Sequence, residues 1–172
     1  MVHVLLDTCI YGRFFEDAEG LHLAEEIIKD EKFIIHNFRL IRNELRNTPV
    51  RKAIRSKNLR VQMLNLYDEL VKGRIIDEDK SIKSLAKEYF FEYHRQGGNL
   101  GQKAIITDFK ISACAALKRI DILYSEDNRS LKSMHALAAY NIVNLRHNLR
   151  TPNFIGYSTL KKQKIAAVAS VF

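Results

Sequence analysis

Four acidic side chains follow apolar segments at positions from which they could act together on a metal ion or a phosphate. The first ends the run HVLLDTCIY, in which Val4, Leu5 and Leu6 have the character of a buried strand and Asp7 comes directly after them. Asp is also a common turn and cap residue, so this position alone leaves both roles open. The other three, in chain order, are Glu44 in LIRNELRN, Asp108 in DFKISACAALKR and Asp127 in ILYSEDN.

Each of these later residues also has an ordinary structural role. Glu44 stands between Arg42 and Arg46, where it suits a solvated helix face or an intrahelical ion pair. Asp108 suits the N-cap of a helix, and Asp127 in SEDN suits a turn. Clustered carboxylates repel each other unless a cation holds them, so the joint placement favours a site over separate structural roles.

The elements that must position these acids alternate between strands and helices. Strand-like runs are VHVLL near the start, KFIIHN at 32–37, DILYSE at 121–126 and NIVNL at 141–145. Helical patterns cover 17–29, 39 to just before 48–49, 50–72, a segment from 79, 108–118 and 132–140, with a Gly-rich loop at 96–102. This alternation predicts an α/β fold with a mostly parallel sheet. Ligands bind at the carboxyl ends of such strands, so we expect all four acids at one edge.

Composition narrows the class of partner and of metal. The 172 residues suit a single domain over 1–172, and the net charge of +8 favours a polyanion such as nucleic acid. The basic residues concentrate between Arg39 and Arg74.

Cys9 and Cys114 are expected to be reduced core thiols, and no His or Cys has zinc-ligand spacing. An acidic cluster without such ligands selects Mg²⁺ or Mn²⁺. No run approaches the roughly 20 apolar residues of a membrane span, and no signal peptide is visible, so we expect a cytoplasmic protein.

These motifs together resemble a PIN-domain nuclease. The resemblance covers LLDTCIY, IRNELR, GQKAIITDFKISACAALKR, ILYSEDNRSL and NIVNLRHNLRTPNFIGYSTL, in the family's order. It implies a three-layer α/β/α sandwich and metal-dependent hydrolysis of phosphodiesters, usually in single-stranded RNA. Many small members are VapC-like toxins, which implies an antitoxin partner, and a homodimer is expected. The chain is longer than those toxins, chiefly through its 50–95 region and its tail KKQKIAAVASVF.

The resemblance also implies roles for individual residues. Asp7 and Asp108 are metal ligands, Asp127 is a direct or water-mediated ligand, and Glu44 is an outer ligand or water-orienting base. Supporting roles fall to Thr8, Ser125 and Asn128, and Glu126 is a weaker substitute for Asp127.

Neighbouring residues are candidates for contacts with RNA. Arg42 and Arg46 could hold the backbone, whereas Tyr11, Phe14 and Phe15 could stack on bases or pack in the core. The loop at 96–102 lacks the Gly-Lys-Ser/Thr ending of a P-loop. Two other functions stay open, a catalytically weak RNA-binding or assembly module and a structure-specific DNA nuclease with the same metal chemistry.

Overall fold

A parallel β-sheet forms the centre of the protein, seen here in a computed structural model that describes residues 1–49, 53–54 and 57–169. The strands are β1 (Val2–Leu6), β2 (Phe33–Phe38), β3 (Ala53–Ile54), β4 (Lys57–Asn58), β5 (Val71–Ile76), β6 (Ile122–Tyr124) and β7 (Asn153–Ile155). Five of them form the main sheet in the order β5-β2-β1-β6-β7, and every pairing within it is parallel. β3 and β4 form a separate antiparallel pair. The first strand of the chain is therefore the central strand of the sheet.

Helices cover both faces of this sheet. They are α1 (Thr8–Glu16), α2 (Gly20–Lys29), α3 (Arg39–Arg46), α4 (Leu59–Leu70), α5 (Lys80–Arg95), α6 (Gln102–Leu117), α7 (Met134–Arg146) and α8 (Tyr157–Ala169). α5 packs against α6 and α7, whereas α1 packs against α2, α3 and α4, and α2 against α8. This arrangement confirms the predicted three-layer α/β/α sandwich with a parallel central sheet. Among the described residues, no helix is both long enough and apolar enough to cross a bilayer.

Several predicted elements are confirmed where a local signal was strong. β1, β2 and β6 lie at the first three predicted strands. α3 ends at Arg46, just before Thr48 and Pro49, because a residue that precedes proline avoids the helical conformation. α5 begins as expected from its cap, since the Asp79 side chain accepts a hydrogen bond from the Ile82 N–H at 2.8 Å.

The predicted strand at 141–145 is wrong, because this segment belongs to α7. Val143 is fully buried while Leu145 is 82% exposed, although two residues at this spacing would share one face of a strand. Helical rotation separates them, so an apolar run too short to reveal its period was misassigned. The helix predicted over 132–140 instead continues to Arg146. The left-handed residue is Asn148, with φ 53°, and the last strand is the unpredicted β7.

The predicted helix over 50–72 is also wrong at both ends. Residues 50–52 and 55–56 lie outside the described part, and α4 begins only at Leu59. The chain enters β5 at Val71, and Gly73 lies inside that strand with φ 83° instead of ending a helix. The register between β2 and β5 shifts here, and the glycine accommodates the irregular backbone at this shift.

The remaining differences concern helix starts. α1 and α8 were not predicted, and Asp17 is the C-cap of α1, whereas α2 begins later, at Gly20. α6 begins at Gln102, six residues before Asp108, so Asp108 lies inside the helix. The expectation that Asp108 caps a helix is therefore wrong.

Two lysines attach α8 to the first half of the chain. Lys161 Nζ lies 2.9 Å from Asp17 and 2.8 Å from Glu19. Lys164 is buried, pairs with Asp30, and places its ammonium 3.8 Å from the centroid of the Phe33 ring. Because Lys164 is buried, removal of its ammonium is expected to cost more than removal of one partner of an exposed ion pair.

We expect Lys164→Ala to lower the free energy of unfolding by about 1–3 kcal/mol, because it removes the ammonium from Asp30 and Phe33 and leaves a cavity. The exposed neighbour Lys162 provides the control, and Lys162→Ala should change the free energy by less than about 0.5 kcal/mol. Urea unfolding of the two variants and the parent measures this. Equal stability of both variants would mean that the pair does not hold α8.

Candidate active site

Asp7 joins the central strand to α1 and is hydrogen-bonded from several directions. Its backbone N–H donates to the Tyr124 carbonyl at 2.9 Å and extends the pairing of β1 with β6. Its side chain caps α1 by accepting from the Thr8 N–H at 2.7 Å, and its other oxygen accepts from the Ser125 hydroxyl at 2.7 Å. Asp7 is only 6% exposed, so these bonds fix a nearly buried carboxylate at the carboxyl edge of the sheet.

The loop after β6 holds Asp127 in a tight turn beside this carboxylate. The Asp127 N–H donates to the Ser125 hydroxyl at 3.0 Å, which links the loop to Asp7. Burial opposes ionisation of Asp127, but hydrogen bonds from Ser130 and from the Arg129 N–H outweigh it, so the pKa stays below its ordinary value. Asp127 is thus a stable anion whose oxygens already accept several hydrogen bonds.

Asp108 approaches the same region from α6. Burial raises its pKa to about 7, and the charges of Asp7 and Asp127 add to this, although the nearby Ser130 hydroxyl works in the opposite direction. A rise of this size shows that the carboxyl group is desolvated and surrounded by like charge. Asp108 lies six residues into α6, and the charges of Asp7 and Asp127 still reach it.

Glu44 completes the group from α3. Burial raises its pKa to about 7, followed by the charges of Asp7 and Asp108. Four elements that are distant in sequence therefore bring the four predicted acids into one electrostatic neighbourhood. Such a convergence, at the carboxyl edge of the sheet, was predicted from the sequence.

These carboxylates have no cationic partner within the part of the chain that the structure describes. The ion pairs of that part involve other acids, and none reaches Asp7, Glu44, Asp108 or Asp127. In the same part, no three His, Cys, Asp or Glu side chains converge closely enough to form a ready metal cage. The acids share a region without closing on one point. Oxygen donors with uncompensated charge fit a hard divalent cation, which would relieve their repulsion.

The smaller predicted residues lie around these acids. Thr8 donates to Asp7 through its hydroxyl at 3.3 Å as well as its backbone, and Ser125 is fully buried. Asn128 is exposed on the loop. Glu126 accepts a hydrogen bond from the Tyr157 N–H, so its carboxylate is engaged at the start of α8 and is not a free substitute for Asp127.

The two predicted RNA-binding arginines differ in their surroundings. Arg42 does not pair with Glu44. It forms a two-pronged ion pair with Asp68, with Nε and Nη2 at 2.9 and 2.8 Å from the carboxylate oxygens. Arg46 is exposed at the end of α3. The guanidinium of Arg46 is therefore the more accessible of the two.

The aromatic residues after Asp7 belong to the core. Tyr11 and Phe14 are 1% and 0% exposed, and Phe15 packs partly buried against the core, so the suggested base stacking is wrong for Tyr11 and Phe14.

Three residues of this region were missed by the sequence argument. Cys9 donates from its thiol to Asp7 at 3.1 Å, and burial together with the Asp7 charge raises its pKa to about 12. Ser130 donates to Asp127, and Lys132 donates to the Ser125 carbonyl at 2.8 Å. The three-residue spacing of Asp127 and Ser130 is a turn signal that could have revealed this contact. Nothing local in the sequence points to the other two.

Comparison with known proteins places the fold. No protein-family model and no curated protein matches the chain. It is similar to a chain in the crystal structure of VapBC2 from Rickettsia felis bound to a DNA fragment from their promoter. The identity is 15%, the TM-score is 0.57, and the match covers 91% of this chain and 99% of that chain. At this identity the likeness is one of fold, and the chain therefore has the PIN-like α/β/α fold that its sequence motifs implied.

Proposed function

We propose that this protein is an endoribonuclease that hydrolyses phosphodiester bonds of single-stranded RNA with Mg²⁺ or Mn²⁺. The observation that carries the proposal is that Asp7 and Asp127, at the ends of β1 and β6, lie close enough to Asp108, and Asp7 and Asp108 close enough to Glu44, for their charges to oppose ionisation, while none of the four has a cationic partner within the described residues. Purely structural acids would be expected to pair with some of the 28 Lys and Arg residues. Repulsion left in place at a sheet edge is instead typical of a site that awaits a cation.

The four acids have separate parts in this proposal. Asp7 and Asp108 would hold the metal directly, and Asp127, whose oxygens are already hydrogen-bonded, would hold it directly or through water. When bound, such an ion lowers the pKa of a water nucleophile and stabilises charge on phosphate oxygens. Glu44 has a pKa near neutrality, which suits a base that orients and deprotonates the attacking water.

The supporting residues keep these acids in place. Ser125 and Thr8 bond to both oxygens of Asp7 and fix its orientation. Asn128 is exposed beside Asp127 and would contact the substrate or a bound water. Cys9 stays protonated and donates to Asp7, so it orients a ligand and is not a nucleophile.

A substrate of RNA is supported by charge. The net charge of +8 favours a polyanion, and Arg46 offers an exposed guanidinium on the helix that carries Glu44. The rival functions are a catalytically weak RNA-binding module and a structure-specific DNA nuclease. The uncompensated acids argue against the first, and the second is tested by the choice of substrate below.

The likeness in fold is the basis for a proposal about the protein partners of this chain. VapBC2 of Rickettsia felis was crystallised on DNA from its promoter, and we propose that this chain likewise acts as the toxin of a toxin–antitoxin pair in the cytoplasm, as a homodimer when free. A neighbouring gene for a small DNA-binding protein would encode the antitoxin.

We expect cleavage of single-stranded RNA in Mg²⁺ or Mn²⁺ and none in EDTA. Asp7→Asn and Asp108→Asn should each lower kcat/KM by about two orders of magnitude or more, because ligands of one site act as a unit. Glu25 is exposed on α2 outside the site, and Glu25→Gln is the matched control that should keep the parent rate. A panel of single-stranded RNA, single-stranded DNA and branched duplex DNA identifies the substrate. Cleavage that survives both Asn variants or EDTA contradicts the proposal.

We expect Asp108→Asn to be more stable than the parent in EDTA. The folded state holds a proton on Asp108 up to a pKa of about 7, whereas the unfolded chain releases it near about 3.9. The parent therefore loses stability as pH rises from about 4 to about 7, and the variant loses less, with a difference of about 1–3 kcal/mol at pH 8. Metal should reverse the order, since an ion at a hundred times its Kd adds about 2.7 kcal/mol to a protein that binds it.

Thermal melts of both proteins at pH 5 and pH 8, with EDTA or with Mn²⁺, measure this. If the variant gains as much from Mn²⁺ as the parent does, Asp108 is not a ligand.

We expect Arg46→Glu to weaken RNA binding for all sequences and to lower the slope of log K against log salt by about 1, because one phosphate contact is lost. Arg42→Gln should have a smaller effect, since Asp68 already neutralises that guanidinium. Lys87→Glu, an exposed charge reversal on α5, is the control. Anisotropy titrations at several salt concentrations measure this slope. If Lys87→Glu lowers the slope as much as Arg46→Glu does, Arg46 does not contact the RNA.

A further inference from the structure

A groove of about 610 Å³ opens directly from the acidic site. Its inner end is lined by Thr8, Cys9 and Glu44, which belong to or contact the acidic group. From there it runs between α1 on one side and the end of α3 with the start of α4 on the other. Its volume is in the range of small-ligand sites, so one nucleotide could enter it.

The walls of this groove combine apolar and polar side chains, and α1 adds Arg13 and Glu16, which form an ion pair at 3.2 Å. Leu59 and Met63 of α4, which are 1% and 4% exposed, form its apolar floor. Asn47 and Thr48, just after α3, present an amide and a hydroxyl at the rim. A nucleobase has apolar faces and a polar edge, so this combination suits a base better than a phosphate or a sugar.

Gly12 leaves the opposite wall open. It lies in the middle of α1, where glycine weakens a helix, and a Cβ added there would meet nothing within 4 Å. Packing therefore does not require a glycine at this position. The missing side chain instead leaves space in the groove.

Charge favours a nucleic acid as the occupant. Between Glu44 and Asp68 the chain carries no acidic residue and six basic ones: Arg46, Arg51, Lys52, Arg55, Lys57 and Arg60. Of these, Arg46 lies at the end of α3 and Arg60 at the start of α4, where their charges attract a phosphate backbone.

We propose that this groove is a base-binding subsite for the nucleotide next to the scissile phosphate of single-stranded RNA. The base lies against Leu59 and Met63 in the space left by Gly12, and Asn47 and Thr48 contact its edge. This inference rests on the proposed nuclease function and adds where the sequence preference of the site resides.

The test is to fill the groove from Gly12. Gly12→Leu replaces a poor helix former with a good one, so the variant should fold with a melting temperature at least equal to that of the parent. We expect its KM for a short single-stranded RNA to rise about tenfold, because the stacking of one base is lost. The KM of Gly12→Ala should lie between those of the parent and Gly12→Leu. Asn65→Leu on the exposed side of α4 introduces the same side chain outside the groove and is the control.

A second arm identifies what the groove holds. RNAs in which one base at a time is replaced by an abasic ribose should include one position that raises the KM of the parent about tenfold but leaves that of Gly12→Leu unchanged, because both changes remove the same contact. Binding anisotropy of the same RNAs in Ca²⁺ provides a readout that does not depend on cleavage.

The outcomes separate this inference from the proposed function. A parent that binds and cleaves RNA, with a Gly12→Leu variant that does the same, overturns the base subsite alone. Additive effects of Gly12→Leu and every abasic position also overturn it, because they show that the filled groove does not hold a base. A parent that binds RNA with the predicted coupling but never cleaves it contradicts the nuclease function and supports the subsite.

Discussion

The hydrogen bond from Ser125 to Asp7 joins the two strands on which the site depends. It links the residue after β1 to the residue after β6, at the edge where both strands end. Through the Ser125 hydroxyl, the bond also reaches the Asp127 N–H and so fixes the loop of the last acid. Asp7 has little exposed surface, so each bond that it accepts replaces a lost contact with water. Asp7 therefore connects the loop after β6, the N-terminus of α1 and the pairing of β1 with β6.

Charge repulsion is the cost of this arrangement. Glu44 and Asp108 are held near other acids and away from water, and both resist ionisation as a result. Elsewhere the protein pairs its buried or half-buried charges, as Glu92 pairs with Arg146 at 2.9 Å and Lys164 pairs with Asp30. The proposed site rests on the contrast between these paired charges and the four acids, which have no ion-pair partner among the residues that the structure describes. This contrast also explains why Cys9 remains a protonated donor beside Asp7.

The sequence predicted what depends on local rules and missed what depends on tertiary contacts. β1 and β2 were visible as apolar runs, and the cap at Asp79 and the Pro49 boundary were visible as single residues. The segment 141–145 was misassigned because five residues are too few to distinguish the helical period from the strand period. Only the difference in burial between Val143 and Leu145 shows that the segment is helical. β5 was hidden because its strand follows α4 without a turn. Asp7 and Asp127 were placed correctly after β1 and β6 because an acid that follows an apolar run marks a strand end, whereas the contact of the Cys9 thiol with the Glu126 N–H, at 3.2 Å, spans the fold and leaves no local trace.

The strand order sets when the site can exist during synthesis. β1 leaves the ribosome first, but its partner β6 and the loop with Ser125 and Asp127 come more than a hundred residues later. Only β2 can pair with β1 before then, and that pairing leaves Asp7 without the Ser125 hydroxyl. A nascent chain therefore carries the first acid long before it carries the rest of the site. For the nuclease proposed above, the site therefore cannot assemble until most of the chain has left the ribosome.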